Sequence, residues 1–312
     1  MDNIYDIIIV GGGPAGLSCG LYASRAKLKT LVLEKDSMGG QMFLTGSIEN
    51  YPGSSEISTG MSLTNRFKEQ AESFGCEIIK NKVAKLELND KIKTVVCETE
   101  TYKAKTVVIA TGATRRKLGI PGEDEFSGKG VSYCATCDGS FFQGLEILVI
   151  GSGNSAFEEA IELTKFGKKV YLAHRKDLSK VTPVILERAR KNEKIEFLPQ
   201  EEIQEIKGDG LVKSVIFKNS ESGQETEFCV KEGDPTFGVF VFIGSKPNSQ
   251  FLGEFSGLEN GYILTNREME TKVPGVFAAG DIRAKSVRQI VTAAADGAIA
   301  AISAEKYITE NF

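Results

Sequence analysis

Ile4-Tyr5-Asp6-Ile7-Ile8-Ile9-Val10-Gly11-Gly12-Gly13-Pro14-Ala15-Gly16 is the stretch on which the fold turns. Its apolar run is broken only around Asp6, and the core Ile7 to Val10 reads as a strand buried on both sheet faces. The glycines that follow allow a tight turn and close approach of a ligand to the backbone. Leu17 to Ala26, rich in small residues, reads as a helix, and Thr30-Leu31-Val32-Leu33-Glu34 as the next strand. Together they make one βαβ unit. Its G-x-G-x-x-G turn is the pattern that seats a dinucleotide pyrophosphate on a helix N-terminus.

The layout recurs downstream. Glu146 to Ile150 reads as a strand, Gly151-Ser152-Gly153-Asn154-Ser155-Ala156 as its turn, Phe157 to Phe166 as its helix and Lys169 to Ala173 as the returning strand. Glu34 follows Gly11 by 23 positions, and His174 follows Gly151 by the same 23. One such glycine pattern arises often in plain turns; two, each between strand and helix, point to two nucleotide-binding units. Further apolar runs end in glycine turns at Thr106 to Gly112, Gly238 to Gly244 and Gly275 to Asp281. Their order gives the expected fold class: α/β, with two Rossmann-like, three-layer nucleotide-binding domains, the second inserted into the first. Residues 1–114 and 247–312 are expected to form the first domain and 115–246 the second, with crossings at Arg115 to Gly122 and Ser245 to Asn248.

Composition narrows the function. The 312 residues exceed one usual domain, and 38 Lys+Arg against 42 Asp+Glu give a net charge of −4 with no block of like charges. That argues against nucleic acid or an anionic membrane surface as the main partner. No apolar run approaches the ~20 residues that span a bilayer. Met1-Asp2-Asn3 leads into the first strand without a leader pattern, so a cytoplasmic location is expected.

Four of the six cysteines, Cys19, Cys76, Cys97 and Cys229, stand alone. The other two form Cys134-Ala135-Thr136-Cys137. Zinc would need two more ligands in a chain with one histidine, so no metal site is expected and the pair reads as a redox dithiol. Asp138 beside it reads plainly as a turn former ahead of Gly139. Glu34 ends its strand where an acid can accept from the hydroxyls of an adenosine ribose, which suits FAD or NAD; the plainer reading is a solvated strand end. In the second unit His174, Arg175, Lys176 and Lys180 take the acid's place. Their charge suits the 2′-phosphate of NADPH, against the plainer reading of a solvated basic loop.

Cys134-Ala135-Thr136-Cys137-Asp138-Gly139, Gly280-Asp281-Ile282-Arg283 and Arg288-Gln289-Ile290 together resemble the low-molecular-weight thioredoxin reductases, FAD flavoproteins that reduce disulfides. The likeness runs over essentially the whole chain. It includes Gly39-Gly40-Gln41, Glu49-Asn50-Tyr51-Pro52-Gly53, Ala110-Thr111-Gly112 and Phe242-Ile243-Gly244. A Cys pair inside the second domain separates this family from glutathione-reductase-like enzymes, whose pair lies in the first nucleotide unit.

The resemblance implies an enzyme, a thioredoxin-disulfide reductase. FAD would be held by Gly11, Gly13, Pro14, Ala15, Gly16, Glu34, Gly40, Gln41, Asn50, Thr111, Gly112, Asp281, Arg288, Gln289 and Ile290. NADPH would lie on Gly151, Gly153, Asn154, Ser155, Ala156, His174, Arg175, Lys176 and Lys180. Electrons would pass from NADPH to FAD, to the Cys134–Cys137 disulfide and to thioredoxin. Cys137 would face the flavin, Cys134 would attack thioredoxin's disulfide, and Asp138 would handle the proton. The pair and the nicotinamide site share one domain yet must both reach one flavin, which implies a rotation of that domain. A homodimer is expected from the family. The family's grip, His-Arg-Arg with a further Arg four residues on, is altered here to Lys176 and Lys180, which lack the planar fork. One alternative is a ferredoxin-dependent flavin thioredoxin reductase with a degenerate nucleotide site, against which the intact Gly151 to Ala156 turn weighs. Another is a flavin-bound redox sensor, which would not need that turn.

Overall fold

Ile7, Ile8 and Ile9 are fully buried because the first strand, β1 (Ile4–Val10), is flanked on both sides by parallel partners. The computed structural model describes residues 4–45, 48–54, 58–175, 178 and 181–312. After β1 the chain forms α1 (Pro14–Arg25) and β2 (Thr30–Glu34), completing the first βαβ unit. The helix starts before the Leu17 that apolar spacing suggests. Pro14 occupies its first turn, where a missing N–H goes unmissed and the fixed φ already suits a helix.

Next come α2 (Gly60–Ser73), β3 (Glu77–Lys80), β4 (Val83–Glu87), β5 (Lys93–Cys97) and β6 (Thr101–Ile109). The sheet order is β3-β2-β1-β6-β5-β4. Its β3, β2, β1 and β6 run parallel, while β5 and β4 are antiparallel. The alternating burial of β5 is that of a strand with one covered face.

The chain divides into two compact units, one of Met1–Thr114 with Lys246–Phe312 and one of Arg115–Ser245. The connection β7 (Ala113–Arg115) leads into the second unit. There β8 (Val131–Ser132), the short α3 (Ala135–Asp138), β9 (Glu146–Ile150), α4 (Asn154–Leu163), β10 (Lys169–His174), α5 (Pro183–Arg190) and β11 (Ile195–Pro199) follow in turn. β12 (Glu201–Asp209), β13 (Leu211–Asn219) and β14 (Glu225–Cys229) form a separate antiparallel sheet. With β15 (Gly238–Val241) the parallel sheet closes in the order β11-β10-β9-β15-β8. α4 begins at Asn154 and not at Phe157, because Gly153 caps it in an extended conformation and hands the turn directly to the helix.

β16 (Ser245–Pro247) returns to the first unit and pairs with β7. After the small β17 (Leu258–Glu259) and β18 (Tyr262–Ile263), β19 (Val276–Ala278) pairs in parallel with β6. The last element, α6 (Ile290–Asn311), packs on α1: a Cβ at Gly297 would lie 2.0 Å from the Ala15 carbonyl oxygen. The apolar runs expected to end in glycine turns are strands up to Ile109, Val241 and Ala278, after which the chain leaves each sheet. The class is the expected α/β one, a second Rossmann-like unit inserted into the first.

Candidate active site

The first glycine turn is shaped by what cannot fit in it. Gly11 has φ 112°, and a Cβ there would lie 2.4 Å from the Ala110 carbonyl oxygen. A Cβ at Gly16 would lie 1.8 Å from the Gly11 oxygen, so α1 sits directly on the turn. Gly13 is different: nothing lies within 4 Å of its would-be Cβ. It caps α1 without a side-chain hydrogen bond, and the first turn carries no acid. Gly13 thus borders open space at a helix start that has no side-chain acceptor, which leaves room for an anion.

Glu34, at the end of β2, accepts from the Gly12 amide at 2.7 Å through Oε2 and from the Asp36 amide at 3.0 Å through Oε1. Each oxygen keeps a lone pair for another donor. Beside it opens a cavity of about 510 Å³ lined by Lys35, Asp36, Lys80, Asn81, Lys82, Glu98 and Thr99. Sequence reading singled out none of these, because they come from the ends of separate strands.

Folding gathers other expected residues around this turn. The Gly39 amide donates to the Gly12 carbonyl at 2.7 Å, and a Cβ at Gly40 would sit 3.7 Å from Gly13 Cα; exposed Gln41 follows in the same turn. A Cβ at Gly280 would meet Ala15 Cβ at 2.8 Å, placing the Gly280–Ile282 turn and Asp281 against the start of α1. Asn50 Nδ2 donates to Gln289 Oε1 at 3.2 Å, and Tyr51 and Ile290 share one small apolar cluster. Arg288 stacks on Tyr262 at 4.6 Å, and its buried Nε–H has no hydrogen-bond acceptor among the described residues.

Two organising residues were missed by sequence reading. Asn248 clasps the Thr111–Gly112 turn: its Nδ2 donates to the Thr111 carbonyl and its carbonyl accepts from Thr111 Oγ1, both at 2.8 Å. Asp296, buried on α6, accepts from the Gly280 amide at 3.0 Å, Lys285 Nζ at 2.8 Å and Arg283 Nη1 at 2.9 Å. Neither belongs to a local pattern.

The second glycine turn repeats the first. A Cβ at Gly151 would lie 2.6 Å from Ala156 Cβ, the fully buried alanine that stands where the first turn has Gly16. Gly153 again has open space and caps α4 without a side-chain bond or a first-turn acid. Exposed Asn154 clasps Thr182, accepting its amide at 2.8 Å and donating to Oγ1 at 3.0 Å; Ser155 beside it is exposed. This clasp ties the start of α4 to Thr182 ahead of α5; His174, at the end of β10, is buried and Arg175 after it is exposed. Arg175 pairs with Glu202. Lys176 and Lys180 lie outside the described residues.

Cys134 and Cys137 are joined as a disulfide across α3. Cys134 caps that helix, and the Cys137 amide donates to its Sγ at 3.2 Å, a contact that favours a thiolate there once the bond is reduced. Burial pushes the Asp138 carboxyl above the ordinary Asp range, with a Ser132 hydrogen bond and the Arg115 charge opposing it. The preceding residue, Tyr133, donates to Glu123 Oε1 at 2.8 Å. Glu123 is buried and also accepts the Leu118 and Gly119 amides at 2.8 Å each, so the approach to Cys134 is tied to the segment after β7. Cys19, Cys76 and Cys97 are buried free thiols; Cys229 is exposed.

Among the described residues no helix is long and apolar enough to cross a membrane, and no group of three or more His, Cys, Asp or Glu is placed to hold a metal. The family described as pyridine nucleotide-disulphide oxidoreductase matches residues 5–297. Thioredoxin reductases from Peptoclostridium litorale and Peptoclostridium acidaminophilum are 53% and 51% identical over 313 residues, covering 100% of this chain and 99% of each relative. The crystal structure of thioredoxin reductase from Streptococcus pyogenes MGAS5005 is similar with a TM-score of 0.93 at 41% identity, over 99% of this chain and 100% of that one.

Proposed function

The chain belongs to the pyridine nucleotide-disulphide oxidoreductase family, among its thioredoxin reductases, and from that premise we propose that Cys134, Cys137 and Asp138 carry the reaction, with FAD at the Gly11 turn and NADPH as donor at the Gly151 turn. It is a disulfide oxidoreductase whose protein substrate is thioredoxin. One observation carries the reading of its residues. The disulfide and the partly buried Asp138 occupy a single short turn of the unit that also holds the uncapped helix start at Gly153.

Three features of the first unit fit FAD. They are the open, uncapped helix start at Gly13, the spare lone pairs of Glu34 beside a cavity, and the buried Arg288 Nε–H awaiting an acceptor. Gly11, Gly13 and the amides of Pro14's helix would take the pyrophosphate, Glu34 the ribose, and Asp281 with Arg288 to Ile290 the ribityl and ring. When bound, FAD supplies a two-electron carrier between nicotinamide and disulfide.

The protein's own chemistry lies in the sulfur exchange. In the reduced pair, the Cys134 thiolate attacks one sulfur of the thioredoxin disulfide; a mixed disulfide forms and the other thioredoxin sulfur leaves. Cys137 then attacks Cys134 Sγ, which re-forms the intramolecular bond and releases the second thioredoxin sulfur. Asp138, whose hold on a proton is strengthened by burial, gives its proton to a leaving thiolate and regains one when the pair is next reduced.

For NADPH the support is the intact second turn, the Asn154–Thr182 clasp and the positive charge of Arg175, Lys176 and Lys180. Exposed Tyr22, Met61, Ile299 and Ile302, from α1, α2 and α6, support a homodimer formed through the first unit's helices. A cytosolic setting, where free thiols stay reduced, suits the unpaired cysteines. Anaerobic titration of the flavoprotein with NADPH tests the donor, with bleaching of the flavin band as the expected result. Silence toward NADPH with bleaching by reduced ferredoxin moves the assignment to ferredoxin. Turnover with neither, and a partner bound in only one redox state, makes the protein a redox sensor.

A further inference from the structure

Ser132 ends β8 two residues before Cys134 and is 5% exposed. Its hydroxyl donates to Asp138 Oδ2 at 2.5 Å and accepts from the Cys134 amide at 3.1 Å. The Cys134 carbonyl, at 3.4 Å, is the poorer acceptor, so the single hydroxyl proton goes to the carboxyl. The Asp138 amide in turn donates to that carbonyl at 3.1 Å. One hydroxyl thus joins the backbone of the first cysteine to the side chain of the acid.

We propose that Ser132 is a positioning residue for the dithiol–disulfide step, fixing the Asp138 carboxyl against the Cys134 backbone and setting how firmly it holds its proton. This rests on the reading of Asp138 as proton donor and acceptor. A hydroxyl donor stabilises the charged carboxylate and so works against burial. Arg115 acts in the same direction. Other ionisable groups of this region are the two cysteines and, on α4 packed against α3, Glu159, whose carboxyl is pushed up by burial, with Arg115 opposing that and Glu162 and Glu158 adding to it. Without the hydroxyl, burial is less opposed: Asp138 keeps its proton to higher pH and loses its fixed place.

The test is stopped-flow oxidation of the prereduced holoenzyme by oxidised thioredoxin across pH, in wild type, S132A, S132T, D138N and the S132A/D138N double variant. S132A is expected to slow the step about tenfold, the worth of one hydrogen bond to a charged group, and to move its pH dependence upward with KM for thioredoxin unchanged. S132T, which keeps a hydroxyl, should recover most of the rate and the wild-type pH dependence. In the D138N background S132A should add nothing, because its effect runs through Asp138. An unmoved S132A profile with D138N slow overturns the proposal and leaves the role of Asp138 standing. A D138N variant with wild-type behaviour removes both. Additive slowing in the double variant also overturns the proposal. S132V compared with S132T repeats the contrast between side chains of one shape, should S132A fail to fold.

Discussion

The Gly12 amide donates to Glu34 Oε2 at 2.7 Å, tying the first glycine turn to the end of the neighbouring strand. The other carboxylate oxygen is held by the Asp36 amide. Only a carboxylate accepts both amides and still has lone pairs for two ribose hydroxyls. Glu34→Gln turns one acceptor into a donor that faces an amide. At ~1.5–3 kcal/mol for a charge-assisted bond, FAD binding to the apoprotein should weaken roughly tenfold or more. Calorimetric titration of the apoprotein with FAD measures it, and an unchanged Kd would return Glu34 to a plain strand end.

Asp138 carries a prediction for stability as well as rate. D138N keeps the hydrogen-bonding shape but removes the exchangeable proton, so the dithiol–disulfide step should slow by about 10²–10⁴-fold while flavin reduction barely changes. Burial raises the carboxyl's pKa in the folded state above its unfolded value. The folded protein therefore binds this proton more tightly, and stability from this residue is lost as pH rises from the unfolded pKa through the folded one. D138N escapes that loss. Its melting temperature relative to wild type should climb between acid and neutral pH; a gap that does not vary with pH contradicts the sign.

Both glycine turns were legible before folding because a strand, a turn and a helix leave their signals within thirty-odd residues. The Cys134–Cys137 pairing was legible for the same local reason. Helix starts were not, since apolar spacing registers the buried face, whereas Pro14 and Asn154 begin their helices on backbone grounds. Ser132, Asn248 and Asp296 were invisible. Asn248 meets Thr111 across 137 positions, and Asp296 gathers Gly280, Arg283 and Lys285 only once α6 is seated. A lone polar residue has no periodicity to give it away.

The two cysteines should fail in different ways. Cys134→Ser and Cys137→Ser are each expected to abolish thioredoxin reduction, since exchange needs an attacking and a resolving sulfur. FAD should remain bound in both, because the pair lies outside the Met1–Thr114 and Lys246–Phe312 unit. If Cys137 is the sulfur that faces the flavin, the Cys134→Ser protein should show a long-wavelength thiolate-to-flavin absorbance band and the Cys137→Ser protein should not. Disulfide reductase activity surviving in either variant counts against the assignment, and a band in the wrong variant exchanges the two roles.

At the proposed nucleotide grip an existing contact would compete with the phosphate. Arg175, the described cation at the end of β10, pairs with Glu202, and their side chains are 55% and 40% exposed. An exposed pair of this kind contributes only ~0–1 kcal/mol, so a 2′-phosphate with more charge can displace the carboxylate. E202Q removes the competitor and should tighten NADPH by up to about fivefold. NADH, with a hydroxyl in that place, should not respond. Lys176→Arg with Lys180→Arg adds planar forks and should tighten NADPH by roughly tenfold, again leaving NADH alone. R175M should move NADPH in the opposite direction. Rates of anaerobic flavin bleaching over a range of each nucleotide give both affinities. If the NADPH-to-NADH ratio ignores all three changes, the basic run after His174 is a solvated loop, and the preference must be sought at the Gly151 turn itself.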